Sequence, residues 1–110
     1  MQKDRRNFYR ILYSEISCPK LLLSGYTFNV IDISEEGLRF NNLSHDGFKS
    51  GLAISGSVTF PDGESFLVYG EVKRVNDKEV SISLKRPIPL RKIAQEQRRM
   101  LEKFPQKKQA

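Results

Sequence analysis

Cysteine, histidine and tryptophan are nearly missing from this 110-residue chain, which carries one, one and none of them. A lone Cys18 closes no internal disulfide and makes no CxxC zinc site, so it reads as a small core hydrophobe. A lone His45, beside Asp46 in a polar stretch, supplies no Cys–His or Ser–His pair and too few ligands for a transition metal. It reads as a solvated loop histidine. The carboxylates show no EF-hand spacing, and neither a P-loop nor a GxGxxG occurs. No run of 18 apolar residues exists, so no membrane-spanning helix is expected. Met1-Gln2-Lys3-Asp4-Arg5-Arg6 leads into no apolar stretch of the secretory kind. A small cytoplasmic domain without cofactor, metal or catalytic activity is the expectation.

What is present is enough for one core. The hydrophobic share of 38% with 10% aromatics is too high for a disordered chain. Charge is unevenly placed. Residues 1–10 carry four bases and one acid, and residues 85–110 nine bases and two acids, whereas 11–84 carry six bases and ten acids. Basic ends on a mildly acidic body point to a compact anionic ligand or a partner met by the ends. A DNA groove reader would be basic throughout.

Alternation of apolar and polar residues runs from about residue 10 to 85. Ile11–Ile16 reads as a strand, with Lys20–Leu23 as its continuation beyond Pro19. Tyr26–Asp32, Leu38–Phe40, Leu52–Phe60, Ser65–Val75 and Val80–Leu84 read as further strands, and Asn41–Gly51 as a loop. Pro61-Asp62-Gly63-Glu64 is a turn. Six short strands at this spacing predict an all-β domain, a small antiparallel barrel or sandwich. After Pro87 the period changes. Leu90, Ile93, Ala94, Gln97, Leu101 and Phe104 follow helical spacing, so Pro89–Phe104 is an amphipathic helix, with Ile93, Leu101 and Phe104 expected on the barrel and Arg91, Arg98, Arg99 and Lys103 facing out. The chain thus divides into an arm over 1–10, a barrel over 11–86, a helix over 87–104 and a basic tail over 105–110.

Two short motifs stand out. Arg6-Asn7-Phe8-Tyr9-Arg10 is an RxxxR with Arg5 directly before it, and Asp32-Ile33-Ser34-Glu35-Glu36-Gly37 is a DxSxxG on the turn leaving a strand. Taken singly, the arginines read as a solvated terminus and the second motif as an Asx or Ser turn closed by glycine. Together, RxxxR before the first strand and DxSxxG some twenty residues on resemble the PilZ domain family. Val30–Phe40, the strand Gly70–Val75 and the C-terminal helix extend the likeness over about residues 4 to 104.

The resemblance implies a six-stranded antiparallel β-barrel with a C-terminal α-helix that binds the bacterial second messenger cyclic di-GMP. Members with both motifs intact are usually binders, as both are here. One departure, Ile82-Ser83-Leu84 where many members have a glycine and a phenylalanine, is expected to touch packing more than the site. The ligand's chemistry fits. Arginine pairs bidentately with guanine or phosphate and stacks on purines, which assigns Arg6 and Arg10 on an arm that closes over the ligand. Asp32 suits the guanine N1–H and N2–H₂ donors, Ser34 adds a hydroxyl, and Gly37 permits a turn or a close backbone approach. Arg39 is a phosphate or stacking candidate. Arg5 offers a third guanidinium, so two stacked ligand molecules per chain are expected. Ordering of the arm would then signal to a separate, unidentified protein. Two other readings stay open: a PilZ-like adaptor that binds protein without nucleotide, and a small-barrel RNA-binding protein.

Overall fold

Alternating β-branched, leucine and aromatic residues fold into strands wherever one face can be buried, and here they do so seven times. The computed structural model describes residues 11–14, 17–41 and 47–103. Its strands are β1 (Ile11–Leu12), β2 (Lys20–Leu23), β3 (Tyr26–Ile33), β4 (Gly37–Asn41), β5 (Ala53–Thr59), β6 (Ser65–Val75) and β7 (Glu79–Leu84), followed by helix α1 (Leu90–Lys103). All pairings are antiparallel. β2 to β7 close a ring in the order β3-β2-β5-β6-β7-β4, with β4 returning to pair with β3. The domain is therefore a six-stranded antiparallel barrel with one C-terminal helix. Closure leaves no long unpaired edge among the described residues.

The expected first strand is shorter than its apolar pattern. Among the described residues Ile11–Leu12 pairs on the upper half of β3 (Ile11 with Ile33, Leu12 with Asp32), the Tyr13 N–H adds a 2.9 Å bond to the Ile31 carbonyl, and Lys20–Leu23 is a separate strand on the lower half. Of the described residues between them, Tyr13, Ser17 and Cys18 are buried, and Pro19 has no N–H to donate to a ladder. Glu15 and Ile16 lie outside the described residues. The β2–β3 hairpin needs positive φ at both turn positions, taken by Ser24 (51°) and Gly25 (85°).

The barrel's inner face is apolar, with Leu21, Val30, Ile33, Phe40, Val58 and Val80 at no more than 1% exposure. Phe28, Phe40 and Phe48 pack edge-on or tilted with ring centroids 4.9 to 5.7 Å apart. Such rings contribute beyond their buried area.

The helix docks by a face the apolar pattern does not mark. Ile93 is buried as expected, but its buried neighbours are Lys92 and Glu96, while Leu90 and Leu101 are 52% and 54% exposed. Leu101 is thus not a packing residue. The reason is that the barrel offers charges to this face. Lys92 Nζ reaches Asp62 Oδ2 at 2.7 Å and Glu64 Oε1 at 2.9 Å in the β5–β6 turn, and lies 4.9 Å from the Phe60 ring centroid. Glu96 accepts a bond of 2.8 Å from the Tyr13 hydroxyl and is held by Arg99, which also donates to the Ser17 carbonyl. Arg99 is accordingly half-buried, Arg98 faces out as expected, and Arg91, though exposed, reaches back to Glu64 at 2.7 Å and lies over the Phe66 ring; the Lys103 side chain lies outside the described residues. Burial and the neighbouring Glu96 carboxylate push the Tyr13 hydroxyl pKa up. Phe104 lies outside the described residues.

Two outcomes follow from this docking. In urea unfolding, Ile93→Ala should cost about 2–4 kcal/mol, the usual range for a buried aliphatic truncation, and Leu101→Ala less than about 0.5 kcal/mol. Equal costs would mean that Leu101 is covered by the fold. The hydrogen bond from Lys92 holds the Asp62 carboxyl below its ordinary pKa, and those from Arg91 and then Lys92 do the same for Glu64. Groups with a lowered folded pKa contribute stability above the ordinary carboxylate range, and that contribution is lost as pH falls through the lowered values. The melting temperature should therefore drop as the pH falls below about 4, and Lys92→Met should flatten that drop. A slope unchanged by the substitution would assign the acid sensitivity to other carboxylates.

Candidate functional site

β3 and β4 form a hairpin whose turn is the DxSxxG segment. The ladder slips by one residue between Val30 and Asp32, so that Val30 faces Phe40 and Asp32 faces Arg39. Ile31 is the extra residue of this bulge, a device that re-aims side chains beside functional sites. The Asp32 side chain is fully buried. It accepts a 2.8 Å bond from Arg39 Nε and a second, short one from Nη2, while Arg39 Nη1 bonds Glu79 Oε1 on β7 at 2.9 Å. One guanidinium thereby ties three strands, and its pKa is raised, the Asp32 hydrogen bond outweighing burial.

Past Asp32 the turn closes on itself. The Ser34 N–H donates to the Gly37 carbonyl at 2.9 Å and its Oγ at 3.4 Å. Gly37 pairs with Ser83, and a Cβ there would run into the carbonyl oxygen of Ile82. Close approach of β7, rather than a left-handed backbone, is what requires glycine.

The outer wall beside this turn is an open groove of about 650 Å³, within the usual ~300–1,000 Å³ of small-molecule sites. Ser34, Gly37 and Arg39 line it, together with Glu36, Lys73, Arg74, Ser81 and Ser83. Strand register explains the gathering. Ser81 of β7 lies between Arg39 of β4 and Arg74 of β6, and Ser83 lies between Gly37 and Glu71. A second bulge, with Lys73 as its extra residue, brings two cations onto this wall. Lys73 and Arg74 are exposed, with no carboxylate partner among the described residues. The structure therefore brings Asp32, Ser34, Gly37 and Arg39 together at one turn. Arg5, Arg6 and Arg10 lie outside the described residues, as does His45.

The sequence reading missed Lys73, Arg74, Ser81 and Ser83 as site residues. Alternation alone marks several of them as outward, but only the β6-β7-β4 order puts them beside Arg39. Ile82 and Leu84 fill the core as expected. Ser83 between them lines the groove, so this departure from the family pattern reaches the site as well as the packing. Among the described residues, no group of three His, Cys, Asp or Glu side chains could hold a metal ion.

The groove's lining suits an anion with hydrogen-bonding groups. Serine hydroxyls and the turn offer hydrogen bonds on its floor, and three cationic side chains line its wall. The family model described as PilZ domain matches residues 4–103. No curated protein matches the chain.

Without any ligand, Gly37→Ala should lower stability by about 1–3 kcal/mol, the usual cost of forcing an atom into a packed place. Arg74→Ala should stay within about 0.5 kcal/mol of wild type, as exposed substitutions do. Urea unfolding of both variants checks the pair, and a wild-type midpoint for Gly37→Ala would remove the steric account of the glycine.

Proposed function

This chain belongs to the PilZ domain family, a non-enzymatic family of cyclic di-GMP receptors, and from that membership we propose that it is a cytoplasmic receptor that binds cyclic di-GMP and passes the signal to a separate protein. The observation that carries the reading is the register of β1. Ile11 pairs with Ile33 and Leu12 with Asp32, so β1, the strand that follows RxxxR in sequence, begins beside the DxSxxG turn. In this reading two motifs some twenty residues apart in sequence act together at one edge of the cationic groove.

The ligand carries two phosphates and two guanines. Arg6 and Arg10 supply bidentate pairing and stacking; Ser34 and the Gly37 backbone supply hydrogen bonds at the turn. Arg39, held by Asp32 and Glu79, is a fixed cation, with Arg74 opposite it across Ser81. Asp32 acts on guanine donors or through its grip on Arg39. Two ligand molecules per chain carry four negative charges, more than one arginine pair neutralises, and the stoichiometry of two is proposed because Arg5 adds a third guanidinium to the arm. Binding offsets the cost of ordering the arm, which is the event a partner reads. RNA binding is less well supported, because the exposed strand tyrosines Tyr26 and Tyr69 do not line the cationic groove.

Calorimetric titration with cyclic di-GMP tests the proposal. Wild type should bind two ligands per chain and Arg5→Leu fewer, toward one. Arg6→Ala and Arg10→Ala should each weaken binding by about 1.5–3 kcal/mol, the value of a hydrogen bond to a charged group, with unchanged melting. Arg74→Ala should weaken it less. No heat with wild type at millimolar ligand would leave the adaptor reading in place of the receptor one.

A further inference from the structure

The helix holds an apolar pattern that neither the barrel nor the groove uses. Leu90, Ala94, Gln97 and Leu101 recur at spacings of four, three and four, the seam pattern of paired helices. The barrel takes Lys92, Ile93 and Glu96, with Met100 packed partly against the core. At 3.6 residues per turn the seam lies roughly a third of a turn away from that docked face. Leu90 and Leu101 are accordingly 52% and 54% exposed, and Ala94 between them is exposed as well.

The two flanks of the seam differ. On one side Ile93 and Met100 run into the barrel. On the other side stand Arg91 and Arg98, both exposed, with Glu102 slightly further round. Arg91 reaches Glu64 at 2.7 Å, whereas Arg98 has no acidic partner among the described residues. We propose that this seam docks an amphipathic helix of a partner protein, one that carries its own leucine seam and a row of carboxylates facing Arg91 and Arg98. The inference deepens the receptor reading by naming where and to what kind of partner the domain couples.

Charge and geometry choose this occupant over two others. A second copy laid antiparallel, Leu90 against Leu101 at both ends, would set one chain's Arg91 beside the other's Arg98 on the open flank, a like-charge contact made twice. A lipid surface favours a wide apolar face, and here Ala94 and Gln97 occupy the middle of the seam. A glutamine in that place is costly in hydrocarbon but acceptable between helices, where a single polar core residue fixes register.

The test uses two synthetic two-heptad peptides, with leucine at the core positions and glutamate or lysine at the flanks, titrated by fluorescence anisotropy without nucleotide. Wild type should bind the glutamate peptide at least tenfold more tightly than the lysine one. Leu101→Asp should cost at least tenfold, and Arg98→Glu should reduce or reverse the charge preference. Far-UV circular dichroism should show both variants folded, since neither side chain is buried. Absence of binding at millimolar peptide, or binding indifferent to Leu101→Asp, would overturn the proposal. Self-association of wild type abolished by Leu101→Asp would give the seam to a second copy, and cosedimentation with phosphatidylglycerol vesicles abolished by it would give the seam to lipid. Because no cyclic di-GMP is present, these outcomes are independent of the nucleotide titration.

Discussion

A fully buried carboxylate in the wall of a small barrel is costly unless it is paired and hydrogen-bonded, and Asp32 has Arg39 directly across the β3–β4 seam. Removing one partner from such a pair leaves an uncompensated charge, which is far costlier than the pair's net worth. The seam is also where the barrel closes, since β4 pairs with β3 on one side and β7 on the other. Arg39 spans both contacts by reaching Glu79 as well. One guanidinium thus links the three strands at which the ring closes and is itself fixed as a cation at the groove.

The same pattern, charge placed where apolar residues are expected, governs the helix. Lys92 is fully buried yet bound to Asp62 and Glu64, which sit on the accessible β5–β6 turn. Burial opposes its charge, but the two carboxylates hold its pKa above the ordinary value. Glu96 is satisfied by Tyr13 and Arg99. Ion pairs of this kind add orientation more reliably than net stability, because desolvation consumes much of the Coulombic gain. They fix which face of α1 meets the barrel, and by doing so they turn the leucines outward.

That explains what was legible in the sequence. Strands with one buried face announce themselves by period two, and Tyr26–Asp32, Ser65–Val75 and Val80–Leu84 were each readable to within about two residues. Helical period likewise located α1. It failed on orientation, because hydrophobic periodicity identifies the apolar face and says nothing of a face docked through Lys92 and Glu96. The strand order was equally hidden. Lys73 and Arg74 are far from Asp32 along the chain, and only the β6-β7-β4 pairing sets them across Ser81 from Arg39. The DxSxxG turn was readable as a motif, and close backbone approach was one of two readings of Gly37, which answers the backbone of Ile82; that Asp32 answers Arg39 was not readable.

Those reasons bear on how the site can work. Asp32, Ser34 and Gly37 each have a task in the ligand-free fold: a charge partner, a turn hydrogen bond and clearance for β7. A ligand meeting this turn meets groups already fixed by the barrel, so little ordering cost falls on that half of the site. Lys73 and Arg74 have no such task. The groove therefore has a rigid wall shared with the fold and a cationic wall free of it. Loss of binding on altering Asp32 or Gly37 conflates contact with packing, whereas loss on altering Arg74 reports contact alone.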